Sequence, residues 1–158
     1  MAAAPARRVV AFVDGSCLEN PGPGGWAVVM QEGAETREWS SSSATATTNN
    51  RMELQAAVSA VQEGLALGLQ HGELVVTTDS RYVFMGITRW IRAWKRNGWK
   101  TASGTEVRNC DLWRALDAEA SALRPLWAWV PGHSARTPAE HARADEMARA
   151  AARASRPG

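Results

Sequence analysis

The segment VVAFVDGSCLENPGPGGWAVVM, Val9 to Met30, sets the architecture. Val9 to Asp14 alternates as a strand does, and Gly25 to Met30 is a second apolar run suited to a strand. Between them stand Pro21, Gly22, Pro23, Gly24 and Gly25, residues that make tight turns, so the two strands are expected to run antiparallel. Thr36 to Trp39 is a third strand candidate, reached through a turn at Gly33. An antiparallel meander therefore opens the chain, and Asp14 stands at the end of its first strand.

After the polar stretch Ser40 to Asn50 the period changes. Leu54, Val58, Val61 and Leu65 recur at spacings of three and four, which predicts a helix closing near Gly68 and Gly72. Leu74 to Asp79 is mostly apolar and bounded by glycine, the pattern of a strand buried on both faces. Helical patterns cover Ser80 to Ile87, Thr88 to Asn97 and Asp111 to Leu123, the last with Leu112, Leu116, Ala120 and Leu123 in its apolar positions. Leu126 to Val130 reads as a short strand and Pro138 to Ser155 as an alanine-rich helix. Thr137, Pro138 and Glu140 have the register of an N-cap, a first-turn proline and a capping-box glutamate. Hairpin strands followed by alternating strand and helix predict a mixed sheet with helices packed on it. No linker or repeat interrupts the pattern, so residues 1–158 are expected to form one domain with a core of about 8–152. The first six residues and the tail from Ser155 look dispensable.

Length and composition agree with one globular domain. The chain has 158 residues, 45% hydrophobic and 22% charged, with a formal charge of +2, which excludes disorder, collagen and coiled coil as its main body. No stretch reaches the roughly 18 to 20 apolar residues of a membrane span, and the opening MAAAPARR lacks the apolar centre of a signal peptide. A soluble, cytoplasmic protein with no membrane partner is expected, and Cys17 and Cys110 read as free thiols. The charge is unevenly spread. Arg81, Arg89, Arg92, Lys95, Arg96 and Lys100 fall in one acid-free segment, interleaved with Tyr82, Phe84, Trp90, Trp94 and Trp99. Such a run can be a solvated helix face, but cations among flat rings also suit a nucleic-acid backbone, where they displace counterions and stack on bases or sugars.

Two acids end buried strands, Asp14 and Asp79. Each has a plain account as the first residue of a loop. In sheets with parallel neighbours, however, ligands gather at the carboxyl ends of strands, where a hard divalent cation could hold two converging carboxylates ionised. Glu53 is a third candidate, although its spacing from Asn50 also fits a capping box that merely satisfies backbone donors. Asp145, beside Glu146 in the last helix, reads from periodicity as a solvent-facing acid.

DGSCLENPGPGGW (Asp14 to Trp26), TTNNRMEL (Thr47 to Leu54), TTDSRYV (Thr77 to Val83), WVPGHS (Trp129 to Ser134) and ADEMARAAA (Ala144 to Ala152) together resemble type 1 ribonuclease H in its bacterial form. The likeness runs from about residue 8 to 152 and implies an α/β ribonuclease H-like fold, a five-stranded mixed sheet with helices in the order βββαβαβα. It implies that Asp14, Glu53, Asp79 and Asp145 hold two Mg2+ ions, with Mn2+ a possible substitute, and that His133 assists proton transfer or product departure. It places Asn20, Asn49 and Asn50 at the RNA strand, Arg81 next to the RNA groove, and Thr48 and Asn109 on a phosphate of the DNA strand. Trp90, Trp94, Lys95, Arg96, Trp99 and Lys100 match the basic, aromatic protrusion of the bacterial enzymes. The implied activity is endonucleolytic hydrolysis of the RNA strand of RNA:DNA hybrids, giving 5′-phosphate and 3′-hydroxyl ends, by a monomer.

The chain departs from the family pattern in several places. Glu19 adds an anion where glycine is common, Arg81 replaces a usual glutamine, and Ala46 replaces an arginine, which implies a weaker DNA-phosphate pocket. The segment from His133 to Asp145 is longer than usual, and HARAD (His141 to Asp145) replaces the familiar Asn-Glu before the last acid. His141 would share a helix face with Asp145 and reads either as a neighbour of the metal site or as a surface histidine, the surface being expected, while His71 sits in a helix-ending loop and is unremarkable. Two other functions remain open at this point: a hybrid-binding module with a dead centre, and a nuclease of the same broad fold directed at DNA.

Overall fold

A computed structural model describes residues 7–155. The expectation that residues 1–6 and 156–158 are dispensable lies outside the described residues, whereas Ser155 caps the last helix through its amide, which donates to Ala151 and Ala152. Strands β1 (Val9–Cys17), β2 (Gly24–Glu32) and β3 (Glu35–Ser42) form the antiparallel meander. The turn between β2 and β3 uses Gly33 at φ +59°, a left-handed conformation that glycine adopts without steric cost. Strands β4 (Leu74–Thr78) and β5 (Leu126–Trp129) lie parallel to β1, giving the order β3-β2-β1-β4-β5. This is the mixed five-stranded sheet expected of the sequence. Each strand of the meander runs further than its apolar core, because backbone pairing continues through polar residues as far as Cys17 and Ser42.

Strand alternation assigns β1 to two separate cores. Val9, Ala11 and Val13 face α1 (Asn49–Ala66), joining Leu54, Val58 and Val61. Phe12 faces the opposite side with Val29 and Ala144, and half-buried Val10 and Met147 complete that smaller cluster. After β4 the chain forms α2 (Arg81–Met85), a π-helical turn at Gly86–Trp90, and α3 (Ile91–Arg96). Gly86 sits against the fully buried ring of Trp113, where a Cβ would overlap the indole. That ring belongs to α4 (Cys110–Leu123), whose buried stripe is Trp113, Leu116 and Leu123, while Leu112 is only half-buried. The last helix, α5 (Ala139–Ala154), crosses the face opposite α1.

Two helix starts differ from expectation. The N-cap of α1 is Thr48, whose Oγ1 accepts from the amide of Arg51 at 3.3 Å, so Asn50 and Glu53 form no capping box. At α5, Thr137 is not the cap: its hydroxyl donates to the carbonyl of Pro131 at 2.8 Å and accepts from the amide of Ser134 at 3.0 Å. Pro138 is the flanking residue there and Glu140 closes no capping box. The hydroxyl is spent on folding the long loop onto itself. Cys17 and Cys110 are free thiols. No helix among the described residues is long and apolar enough to cross a membrane.

Candidate metal centre and nucleic-acid surface

The parallel register of β1 and β4 pairs Val13 with Thr78, so the residues that follow, Asp14 and Asp79, emerge side by side at one end of the sheet. Glu53 joins them from α1. It can approach because Gly15 has no side chain: a Cβ there would overlap the backbone of Met52 and Glu53. Freed from the capping role, the Glu53 carboxyl is close enough to Asp14 for each to shift the other's pKa. Asp145 comes from α5, half-buried at the rim, with one oxygen 3.3 Å from Arg149 Nε and the other 3.6 Å from His133 Nε2. His133 is exposed on the loop before α5 in a left-handed backbone conformation, φ +51°.

His141 is not at the surface. Only 1% of its side chain is exposed, and its Nε2 lies 3.2 Å from Asp79 Oδ2 and 3.9 Å from Asp14 Oδ2. The longer loop and the shifted start of α5 turn this first-turn residue inward, onto the sheet end. His71 is exposed. A cleft lined by Asp79, His133, Ser134, Thr137, His141 and Asp145 opens the site to solvent. Gly132 forms part of the wall, and a Cβ there would overlap the Asp79 carboxylate.

The electrostatics are those of an uncompensated acidic pocket. Burial pushes the Asp14 carboxyl up to about 7; Glu53 opposes the rise, Asp79 adds to it and His141 opposes it. Burial likewise pushes Glu53 well above the usual carboxylate range, with the charge of Asp14 next in weight. For His141, burial favours the neutral ring, but contact with Asp79 and the charges of Asp14, Asp79 and Asp145 outweigh it and raise its pKa. Asp14 Oδ2, Glu53 Oε2 and both ring nitrogens of His141 are buried without a hydrogen-bond partner. Buried polar atoms are rarely left this way. One donor atom each from Asp14, Asp79 and His141 falls within a 4.8 Å span. Oxygen donors that repel one another and lack protein partners fit divalent cations, which would satisfy the orphaned atoms and keep the acids ionised.

The remaining sequence candidates fall into two groups. Around the first turn of α1, Asn20 Oδ1 accepts from the amide of Asn49 at 3.3 Å, and Asn49 and Asn50 are exposed beside it. Thr48 caps the helix, and Asn109 donates to the Tyr82 hydroxyl at 3.0 Å while accepting from Arg51 Nη1 at 3.3 Å. The same Arg51 guanidinium forms a two-pronged pair with Asp111 at 2.7 and 2.9 Å. It thus links the α1 cap to Asn109, a connection that sequence spacing does not show. Arg81 stacks over the ring of Trp129 at 4.8 Å from its centroid, and Trp129 Nε1 donates to the carbonyl of Asp79 at 3.0 Å.

The second group is the protrusion. Its cations, Arg89, Arg92, Lys95, Arg96 and Lys100, are exposed, but its tryptophans divide by depth. Trp90 is 40% exposed, whereas Trp94 and Trp99 are half-buried and pack on the main core. A ladder of rings runs inward, Trp90 to Trp94 at 6.0 Å and Trp94 to Trp113 at 5.2 Å between centroids, fixing the exposed indole to the interior. Lys95 is paired with Asp117 at 3.1 Å.

Comparison with known proteins gives a consistent pattern. The RNase H family model matches residues 6–153. The chain is 47% identical over 146 residues to a Ribonuclease H of Escherichia coli O9:H4 (strain HS), covering 92% of this chain and 90% of that protein. Among solved structures it is similar to LC9-RNase H1, described as a type 1 RNase H with the type 2 active-site motif. That likeness has a TM-score of 0.83 and 32% identity, covering 98% of this chain and 76% of that one. LC11-RNase H1, solved in complex with an RNA/DNA hybrid, shares the fold with a TM-score of 0.71 at 21% identity, covering 94% of this chain and 99% of that one.

Proposed function

This chain belongs to the ribonuclease H family, and on that premise we propose that it hydrolyses the RNA strand of RNA:DNA hybrids at the site where Asp14, Glu53, Asp79 and Asp145 meet. The observation that carries the reading is the Val13–Thr78 register, which puts Asp14 and Asp79 side by side with a buried, unpartnered oxygen on Asp14. An inactive binding module would have no need to keep such repelling acids together. A pair of divalent cations, Mg2+ or Mn2+, would supply Lewis acidity here, lowering the pKa of a bound water and neutralising charge on the leaving oxygen.

The chain's own groups supply the rest. Asp14 and Asp79 hold the centre from the sheet, Glu53 from α1 and Asp145 from α5. His133, exposed on its loop, takes or gives a proton at the cleft mouth and is kept near the centre by Asp145 and Arg149. Asn20, Asn49 and Asn50 present side chains to one strand beside the acids, where a 2′-hydroxyl distinguishes RNA from DNA. Thr48 and Asn109, tied together through Arg51, receive a phosphate of the other strand. Arg81 with Trp129, and the protrusion with Trp90, Lys95, Arg96 and Lys100, neutralise the backbone beyond. The working unit is a monomer of one domain, with products ending in 5′-phosphate and 3′-hydroxyl.

The test is cleavage of end-labelled RNA:DNA hybrid beside DNA:DNA and RNA:RNA duplexes, with Mg2+ and with chelator. Internal cuts confined to the RNA strand of the hybrid, abolished by chelator, are expected. Binding without cleavage would establish a binding module instead, and preferential cutting of DNA:DNA would assign a DNA-directed nuclease.

A further inference from the structure

His141 is buried as deeply as the core residues, yet no hydrogen bond satisfies either of its ring nitrogens. A core histidine normally donates from one nitrogen and accepts at the other. Here Nε2 is aimed between Asp79 Oδ2 at 3.2 Å and Asp14 Oδ2 at 3.9 Å, and the Asp14 oxygen is itself an orphan. Adjacent ligands of an octahedral ion with bonds of about 2.1 Å lie roughly 3.0 Å apart, so the spacing to Asp79 is close to such an edge and that to Asp14 would close by less than an ångström on a shared ion. Three elements deliver the donors: the end of β1, the end of β4 and the first turn of α5. The side chain is enclosed on the sheet face, and the loop leading into α5 is folded onto itself by the hydrogen bonds of Thr137.

We infer that His141 Nε2 is a ligand to the divalent cation held by Asp14 and Asp79, giving one metal position a nitrogen donor and tuning it toward Mn2+ and related transition ions over Mg2+. The inference rests on the metal-dependent reading of the site. Its chemistry is general: Mg2+ favours an all-oxygen shell, whereas imidazole suits first-row transition ions. Glu53 and Asp145 offer only oxygen, so the effect is confined to the position shared by Asp14 and Asp79.

The decisive measurement needs no substrate. Mn2+ bound to the full chain is read by pulsed electron paramagnetic resonance for coupling to 14N, and Mn2+ and Mg2+ affinities are measured by calorimetry. A 14N coupling is expected in the parent and in His133→Ala, and is lost in His141→Asn. The ratio of Mn2+ to Mg2+ affinity falls about 10-fold or more in His141→Asn, while Mg2+ affinity changes less than about 3-fold. Coupling lost in His133→Ala would move the donor to the exposed histidine and overturn the inference. Mn2+ binding that Asp14→Asn weakens, but with no 14N coupling in the parent, would also overturn it while leaving the nuclease reading intact. If Mn2+ does not bind, or binds equally well to Asp14→Asn, both readings fail. Should His141→Asn not fold, as thermal melting would show, the parent and His133→Ala spectra decide alone.

Discussion

The acid end of the sheet and the basic protrusion both gather charges of one sign, and they handle them in opposite ways. At the sheet end, Asp14 and Glu53 are drawn out of water, and Asp14 is raised to about 7. On the protrusion, Arg89, Arg92, Lys95, Arg96 and Lys100 stay exposed, and their mutual repulsion is screened by solvent and salt. Buried like charges cost stability and are compensated only by a specific partner. Exposed ones cost little and act collectively over a long backbone. The first arrangement suits chemistry at one phosphodiester and the second suits affinity without sequence preference.

The largest test of this contrast is Asp14→Asn. Cleavage of hybrid should fall by about 10³-fold or more, because one ligand common to the centre is removed. The metal-free variant should nevertheless melt higher than the parent at pH 7.5, by about 3–6 °C or ~1–2 kcal/mol, since it no longer buries a repelling carboxylate. A lower melting point would mean that the acids are not crowded. Next in size, Gly132→Ala should displace the Asp79 carboxylate and reduce the rate about 10- to 100-fold with the fold retained. An unchanged rate would show that the loop moves aside.

The pH dependence of stability sharpens the same comparison. The folded-state pKa values of Asp14, Glu53 and His141 are all raised, so each binds protons more tightly in the native state. Their favourable contribution is complete below the unfolded pKa values and is lost as pH rises through the folded ones. Glu32, Glu73 and Asp111 have lowered values, through hydrogen bonds with Arg7, the Gln70 amide and Arg51 respectively, and lose their contributions as pH falls below about 4. Metal-free protein should therefore melt highest between about pH 4 and 6 and decline toward pH 8, and added Mn2+ or Mg2+ should oppose the decline. A melting curve flat from pH 5 to 8 without metal would contradict the buried-acid picture. The smallest effect is expected outside the pocket: Lys95 and Arg96 changed together to alanine should weaken hybrid binding and flatten its salt slope by up to about two units, with Lys95 contributing less because Asp117 already pairs with it. An unchanged slope would return α3 to an ordinary solvated face.

Periodicity and turn chemistry made the meander, α1, β4 and α5 legible, because each buries an apolar pattern of the right period. Motif order made the four acids legible, and the basic composition of residues 81–100 marked the protrusion independently. Local pattern was silent or misleading where a side chain had two possible uses. Asn50 and Glu53 have capping-box spacing, but Thr48 takes the cap and leaves Glu53 to the pocket. Thr137 has an N-cap position, but its hydroxyl folds the loop instead. Trp94 and Trp99 share the protrusion's composition yet lie half in the core, Trp94 on the side of α3 that meets Trp113 and Trp99 in the loop that follows. Glycine was the signal for close approach at Gly15, Gly86 and Gly132, although only the tertiary structure shows what approaches.

The amino-acid order alone determined the succession of elements, the chemistry of the candidate residues and the family, since hydrophobic period, turn residues and motif identity are properties of neighbours along the chain. Only the tertiary structure decided that His141 faces Asp14 and Asp79 rather than water. That outcome depends on where a loop closes and which turn of α5 meets the sheet, and such long-range geometry has no local imprint in the residues that obey it.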